Sequence, residues 1–329
     1  MRKLLIIILM LLVALSTGCS EDTKTAKQIF ADSIDNRAAI NSTTFSGKMD
    51  VTIDSNLEME ADVAASPLLM LNQFSIAFSG KGNDDPLQME IDTTMTTNMQ
   101  GMDLEFKVPM FSKDDALYIK VPEMMKSMIT LDKDYLIADI SSEISAEDKT
   151  ELQNLSSIVL KDIDDSSFAK LDGSSYSIKD AKVGDVVAVS ITQEGIKNFL
   201  DKFMIDGLPE VINFIDKKSL TEEQEVKFEE FKLGIENKTI SADTIFNDIS
   251  KKLTVNKFEM INVYDKDGFL REIIFDVDVT MIDEEKGNSN LVIKGECVIE
   301  TINKELQFEM QIPSIDQTAK IEELDLIQK

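Results

Sequence analysis

The sequence predicts an α+β fold in which a large, curved antiparallel β-sheet, shaped as a half-barrel, wraps around several α-helices. Apolar residues alternate with charged residues in two long regions, at about 45–121 and 254–312. Between them, at about residues 145–253, apolar residues recur mostly at helical spacing. Each alternating run has one apolar and one charged face, which is typical of an antiparallel sheet with one side in water.

The first 18 residues have the order of a secretory signal peptide. Arg2 and Lys3 precede an apolar run over residues 4–15, and small residues follow at positions 16–18. The run is about a dozen residues long, whereas a membrane-spanning helix needs about 20. We therefore expect an export signal that is removed, and no permanent transmembrane helix in this segment.

The end of the signal reads LSTGC, from Leu15 to Cys19, and resembles the lipobox of bacterial lipoproteins. The commonest lipobox has Leu three positions before Cys, whereas Ser16 stands there in this sequence. The resemblance implies that Cys19 is the first mature residue and carries a thioether-linked diacylglycerol. Several acyl chains on one residue anchor a protein firmly, whereas a single chain does not. The alternative is an ordinary cleaved signal followed by an incidental cysteine.

Three segments follow from this pattern. Residues 1–18 are the signal peptide, and residues 19–44 are expected to hold the lipidated cysteine, a short tether and one amphipathic helix. In that helix Ala26, Phe30, Ile34 and Ala38 recur every four residues. Residues 45–329 are expected to form one sheet domain with a helical insert at about 145–253.

The first sheet region contains a series of stripes of period two. They cover residues 45–53, 57–63, 74–78, 87–99, 102–110 and 116–121. The parity of the alternation flips across Gln100 and Gly101. A flip of this kind is expected for a hairpin whose two strands keep the same face buried.

The insert contains several helical patterns and one strand. Residues 145–165 and 194–217 show helical spacing, the second with a break at Gly207–Pro209, and residues 186–192 predict a strand. Thr221 followed by Gln224 resembles a capping box before a charged helix at 222–236. Residues 241–253 predict one more helix.

Strands return from residue 254. Residues 257–264 lead into Asp265-Lys266-Asp267-Gly268, which predicts a hairpin turn. As a calcium loop this segment fails, because Val263 and Ile274 would occupy positions that require Asp and Glu. Further stripes at 273–281 and 291–299 follow, and a turn at Asn303 precedes a last predicted strand at 306–312.

Composition excludes several classes of function. The formal net charge is −27, and loss of the signal removes only basic residues, so the mature chain is more negative still. Such a chain repels nucleic acid and anionic headgroups, and membrane attachment must come from the lipid. The chain has no histidine, which removes His-based nucleophile systems and His metal sites. We expect no catalytic residues, no metal and no cofactor.

Two smaller features have simple interpretations. With Cys19 acylated, Cys297 has no partner for an intramolecular disulfide, and its position on an apolar stripe predicts a small core residue. The acidic run Asp162, Asp164 and Asp165 could hold a cation loosely, but a solvated face is the simpler interpretation.

The layout as a whole resembles the lipoprotein-carrier family of LolA and of the mycobacterial lipoproteins that carry glycolipids. The resemblance is carried by Cys19, the helix after it, the strand SGKMDVTID, the strand DALYIKVPEM and the strands after YDKDGFLREI. It covers nearly the whole mature chain and is specific in layout but has no catalytic motif. The resemblance implies that lipid or acyl chains are held in the apolar space between the sheet and the helices.

The apolar stripes supply the candidate ligand-lining residues. Ten of the 17 methionines lie on strand stripes, and methionine is common on surfaces that accept varied apolar partners. The alternative is an ordinary core in which helices cover these methionines fully. The candidates are Met49, Val51, Met89, Met95, Met99, Leu104, Phe106, Phe275, Met281, Phe308 and Met310.

Two functions remain open at this point. The first is a non-enzymatic lipoprotein, anchored to the outer side of the plasma membrane, that binds or carries a lipid or another apolar ligand in the concave face of the sheet. The second is an envelope interaction protein with a closed core, whose acidic helices at 222–253 contact a protein or cell-wall partner. The acidic, lysine-rich composition and the lipoprotein signal suit a Gram-positive bacterium.

Overall fold

A computed structural model describes residues 24–55, 72–84, 87–99, 102–113, 116–123, 126, 131–139, 157–215, 222–283 and 287–321. Within these ranges, 13 strands form one sheet, and all pairings but one are antiparallel. The strands are β1 Ser42–Ser55, β2 Gln73–Asp84, β3 Leu87–Met99, β4 Met102–Lys107, β5 Met110–Lys113, β6 Ala116–Lys120, β7 Tyr135–Asp139, β8 Phe168–Lys170, β9 Val183–Ser190, β10 Leu253–Asp265, β11 Leu270–Asp283, β12 Gly287–Ile302 and β13 Thr318–Lys320.

The sheet order is β13-β7-β6-β5-β3-β2-β1-β12-β11-β10-β9-β8, and β4 pairs with β3 beside β5. The two halves of the chain therefore meet where β1 pairs with β12, in a ladder that runs from Thr43 opposite Ile302 to Ser55 opposite Ser289. The sheet is curved and open, so the predicted α+β class with a large antiparallel half-barrel is confirmed.

The helices contact one face of the sheet, which we call the inner face; the opposite, largely polar face is the outer face. The helices are α1 Ala26–Asp35, α2 at residues 157–162, α3 Gln193–Ile205, α4 Gly207–Ile215, α5 Glu222–Glu236 and α6 Ala242–Lys252. Helix α1 packs against β8 and β9, and α6 packs against β10 and β11. Helix α3 packs between α4 and α6.

Helix α1 begins at a complete capping box. The Thr25 hydroxyl accepts a hydrogen bond from the Gln28 backbone N–H, and the Gln28 side chain accepts one from the Thr25 N–H. These bonds satisfy two of the backbone donors that a helix start leaves free. The apolar side of α1 then joins the main core with α2 and strands β8–β11. The buried members are Ile29, Phe30, Ile34, Leu160, Phe168, Val187, Val189, Met260, Tyr264, Leu270 and Ile273.

The β10–β11 turn is the hairpin that the sequence predicts. The Asp265 carboxylate accepts hydrogen bonds from the backbone N–H groups of Asp267 and Phe269, and Gly268 takes φ 80°. Arg271 lies 3.3 Å from the second Asp265 oxygen and also donates to the carbonyl oxygens of Ile299 and Glu300 in β12. One buried arginine thus ties the turn to the neighbouring strand.

The helix predictions for 222–236 and 241–253 are confirmed. The predicted break at residues 207–209 is misplaced by one residue, because the interruption lies at Asp206 and Gly207–Pro209 form the first turn of α4. The strand predicted at 306–312 is wrong, because residues 304–314 are irregular. The stripe at 57–63 and the first part of the 145–165 helix lie outside the described residues. The sequence did not predict strands β7, β8 and β13. Each has only three to five residues, which are too few for a period-two pattern to be recognised.

Two glycines allow the close approach of β1 and β12. A Cβ on Gly47 would lie 2.4 Å from the Glu296 carbonyl oxygen, and one on Gly295 would lie 2.4 Å from that of Lys48. Each glycine faces a phenylalanine on the next strand, Phe78 and Phe275 respectively, whose ring lies across it at 2.6 Å from the same position. Glycine with an aromatic ring over it is a known way of bending a sheet without losing apolar cover.

We expect Gly295→Ala to lower the free energy of unfolding by about 1–3 kcal/mol, because the new methyl group would push on the backbone of β1. Urea denaturation of the mature chain measures this change. Gly82→Ala is the matched control, since its Cβ would have 3.8 Å to the nearest atom, the Gln88 oxygen. That variant should be neutral or slightly stabilised. Equal destabilisation of both variants would contradict the role of the close approach.

Candidate functional site

The inner face carries a continuous apolar row that crosses nine strands, from β8 to β4. Each member is the direct cross-strand partner of the next, so the row follows the register of the sheet. We call it the inner row, and its members are Phe168, Val189, Met260, Phe275, Gly295, Met49, Ile76, Met95 and Phe106. Cross-strand neighbours on one face have their Cβ atoms about 5 Å apart, so these side chains form one surface.

The side chains of the inner row are buried to different extents along its length. At the β8 end the Phe30 ring of α1 packs on Phe168 with ring centroids 5.3 Å apart, and Val189 and Met260 are buried. In the centre and towards β3, Phe275, Met49, Ile76 and Met95 are half-buried, and only Phe106 at the far end is buried. The candidate functional site is therefore the half-buried part of the row, on β11, β12 and β1–β3.

A second apolar row runs beside the inner row. On β10 it lies two residues nearer the start of the strand. It consists of Phe258, Val277, Ile293, Val51, Phe74, Thr97 and Leu104. Its one polar member, Thr97, turns its hydroxyl to the Gln73 carbonyl oxygen at 2.8 Å. With that bond satisfied, the row presents apolar atoms alone to the space in front of it.

Most predicted lining residues meet on this face. Met49, Met95, Phe106 and Phe275 belong to the inner row, and Val51 and Leu104 belong to the second row. Met89 and Met281 have the same parity but lie towards opposite strand ends, with Met281 41% exposed. Met99 is the last residue of β3 and pairs with Met102 of β4.

The structure does not bring Phe308 and Met310 to the inner face. Residues 304–314 cross the outer face as a strap, held by side chains of β1–β3. The Lys81 ammonium donates to the Gln307 carbonyl oxygen and lies 5.6 Å from the centroid of the Phe308 ring. The strand predicted at 306–312 would have placed Phe308 and Met310 on the inner face with the other apolar residues. It fails because the strap forms no ladder, and its backbone bonds to side chains instead.

Glu90 is the central anchor of the strap. One of its carboxylate oxygens accepts the backbone N–H groups of Glu309 and Met310, at 2.6 and 2.7 Å, and the other lies 2.8 Å from the Lys81 ammonium. Burial acts to raise the pKa of Glu90, but the hydrogen bonds from Lys81, Met310 and Glu309 outweigh it and hold this pKa below its ordinary value. The strap then ends in β13, which pairs in parallel with β7.

Asn262 is a buried polar residue that the sequence pattern did not single out. It lies on β10 between Val187 and Ile273, is fully buried, and neither amide atom has a hydrogen-bond partner among the described residues. The next inner-face residue on β10, Tyr264, bonds to Ser33 of α1 with 3.4 Å between the oxygens, and burial raises the pKa of Tyr264 well above its ordinary value. An asparagine inside an apolar stripe is the signal that could have pointed to this position.

Cys297 and the acidic run have structural roles. Burial raises the pKa of Cys297 to about 11, so its thiol is unreactive at neutral pH. The acidic residues face different partners, since Asp165 pairs with Lys27 and Asp164 with Lys202. Asp162 is buried, and burial together with the nearby Asp206 raises its pKa. Among the described residues no cluster of three or more acidic or cysteine side chains could hold a metal ion.

Within the described ranges no helix has the length and apolar character needed to cross a membrane. No protein-family model matches this sequence, and no curated protein matches it either. The crystal structure of LprF from Mycobacterium bovis is similar over 87% of this chain and 96% of that chain, with 9% sequence identity and a TM-score of 0.33.

We expect Glu90→Gln to loosen the strap, because a neutral amide is a weaker acceptor than a carboxylate. Hydrogen exchange at the Glu309 and Met310 amides should become roughly tenfold faster at neutral pH, which corresponds to about 1.4 kcal/mol. In the wild type the bond is strongest above the unfolded pKa of about 4.3 and is lost as the pH falls through the lower native pKa. The variant should lack this acid dependence. Glu105→Gln, an exposed change on β4, should leave the strap unaffected.

We expect Asn262→Val to raise the free energy of unfolding by about 1–2 kcal/mol, because it removes two buried polar atoms that lack partners. Thr97→Val is the control, since its hydroxyl has a partner, and it should lower stability by about 1 kcal/mol. Thermal unfolding of both variants gives the comparison. A destabilised Asn262→Val variant would mean that the amide is paired in the native protein.

Proposed function

We propose that this protein is an extracytoplasmic lipoprotein, anchored to the plasma membrane through Cys19, that holds acyl chains of a lipid against the inner face of its sheet. The observation that carries the proposal is the inner row, whose half-buried part presents apolar and mainly flexible side chains. Methionine has three rotatable side-chain bonds and a polarisable sulfur, so Met49 and Met95 can adapt to chains of different shape.

Apolar burial supplies the driving force in this proposal. Removal of apolar surface from water contributes about 25 cal/mol per Å², and a half-buried row still has such surface to lose. Acyl chains need no specific polar contacts, which agrees with a face that has few polar groups. We assign no catalytic residue, because the part of the row open to a ligand carries no nucleophile, acid or base.

Native mass spectrometry of the mature chain, expressed in the cytoplasm from Ser20 onward, tests the proposal. We expect co-purified or added phospholipid or glycolipid to stay bound to the wild type and to be lost from Met95→Asp, because a carboxylate in the row repels acyl chains. Ala77→Asp is the matched control, since Ala77 is exposed on the outer face of β2, next to Ile76.

The control should retain lipid, and circular dichroism should show that both variants are folded. A wild-type protein that takes up neither phospholipid nor glycolipid would refute the proposal. Equal retention by folded Met95→Asp would place any bound lipid elsewhere on the molecule.

A second function is favoured by the surface of α5. Val226 and Leu233, seven residues apart on this helix, are 55% and 54% exposed, and six of the 15 residues of the helix are glutamates against two lysines. This surface suits a basic envelope partner with apolar anchors. Binding that weakens with salt, and that is lost in Val226→Asp while lipid uptake is unchanged, would support this second function.

A further inference from the structure

The N-terminal end of α1 lies at a corner formed by three helices. The Lys27 ammonium donates to the carbonyl oxygens of Lys161 and Ile163 at the end of α2, at 3.0 and 2.5 Å, and lies 3.0 Å from Asp165. Asp164 pairs with Lys202 of α3, and a Cβ on Gly207 would lie 2.7 Å from the Asp162 carboxylate. We call this group of contacts the anchor corner.

The direction of α1 follows from its contacts with the sheet. Phe30 packs on Phe168, which is level with Met260, whereas Ser33 contacts Tyr264, four residues further along β10. Helix α1 therefore runs in the same direction as β10, and its first residue points towards the strand end where α3 and α6 join the sheet.

Only a short stretch of chain separates the anchor corner from Cys19. The six residue steps from Cys19 to Thr25 span at most about 22 Å when fully extended. A lipid on Cys19 therefore holds the start of α1 close to the bilayer surface. Among the described residues, the start of α1 and the anchor corner beside it are the part that such a tether keeps within reach of the lipid headgroups.

The surface of this corner suits contact with lipid. Ile205, at the end of α3, is 74% exposed beside the corner, and Val159 of α2 is 36% exposed one turn before Asp162. The charges of the corner also nearly cancel, because Lys27, Lys161 and Lys202 lie among the four carboxylates Asp162, Asp164, Asp165 and Asp206. The mature chain, whose net charge is more negative than −27, meets least repulsion from a bilayer at such a place.

We propose that the anchor corner, together with the adjoining Ile205, is the surface that rests on the phospholipid bilayer. The inference deepens the proposed function, because it rests on the anchoring of Cys19 and fixes how the carrier faces the membrane. Ile205 then lies at the boundary between headgroups and acyl chains, where an exposed isoleucine gains apolar cover.

Hydrogen exchange on vesicles tests this orientation. The mature chain beginning at Cys19 is coupled through that thiol to a maleimide lipid in phosphatidylcholine vesicles with one-quarter phosphatidylglycerol. The Cys297 thiol, with its raised pKa, stays unreacted. Exchange of the amides at 203–208 and 157–163 should slow several-fold on vesicles relative to the uncoupled chain, while 312–321 should be unchanged.

Ile205→Glu should abolish the slowing at 203–208. Ile315→Glu, at an isoleucine that is 86% exposed in the segment after the strap, should preserve it. No slowing at 203–208, or slowing at 312–321 instead, would overturn the proposed orientation. Protection of the amides at 203–208 in the absence of vesicles, increasing with protein concentration, would also overturn it. That result would show that a second copy of the chain, and not a bilayer, covers the anchor corner.

The chemical anchor separates this test from the proposed function. Cell-derived protein without lipid on Cys19, or a mature chain that takes up no lipid, would refute the proposed function. The exchange experiment reports on the corner in either case.

Discussion

The pairing of β1 with β12 is the constraint on which the rest of the structure depends. It joins strands that are more than 200 residues apart in the chain and turns two half-sheets into one. Closing so long a loop costs conformational entropy, which the ladder and its apolar face must offset. The ladder is close enough only because Gly47 and Gly295 have no side chain at the points where the neighbouring backbone approaches. Phe78 and Phe275 then restore the apolar cover that two glycines remove.

That seam also produces the inner row. Because the register is continuous across β1 and β12, Met49 stands opposite Gly295, and the apolar surfaces of the two half-sheets become one surface. The same surface is used in two ways. Under α1 and α2 it is a closed core, and from Phe275 to Met95 it stays half-buried. This division within one row supports a stable scaffold next to a face that can accept a ligand.

The polar groups are arranged in keeping with this division. On the outer face, Glu90 and Lys81 fix the strap, and Arg271 ties the β10–β11 turn to β12. On the inner face, polar side chains are few, and Thr97 is satisfied locally. Asn262 and Ser112 are exceptions, because each has buried side-chain polar atoms without a partner among the described residues. Local conflicts of this kind tend to mark positions kept for function.

Sequence alone determined the class of the fold, the helices from α3 to α6 and the parity of the long strands. These features depend on local periodicity, caps and turn residues, which neighbouring residues specify together. The sequence also assigned Met49, Met95, Phe106 and Phe275 to one face of the sheet. Alternation is enough for this assignment, because every second residue of a strand points to the same side.

Only the tertiary structure decided the register between strands, and with it the inner row, since pairings such as Met49 with Gly295 join distant parts of the chain. It also moved Phe308 and Met310 to the outer face, because Glu90 and Lys81 captured the strap's backbone where alternation predicted a strand. The cover over each half of the row, and the place of Ile205 beside the start of α1, depend on helix packing. No local pattern encodes packing between segments so far apart.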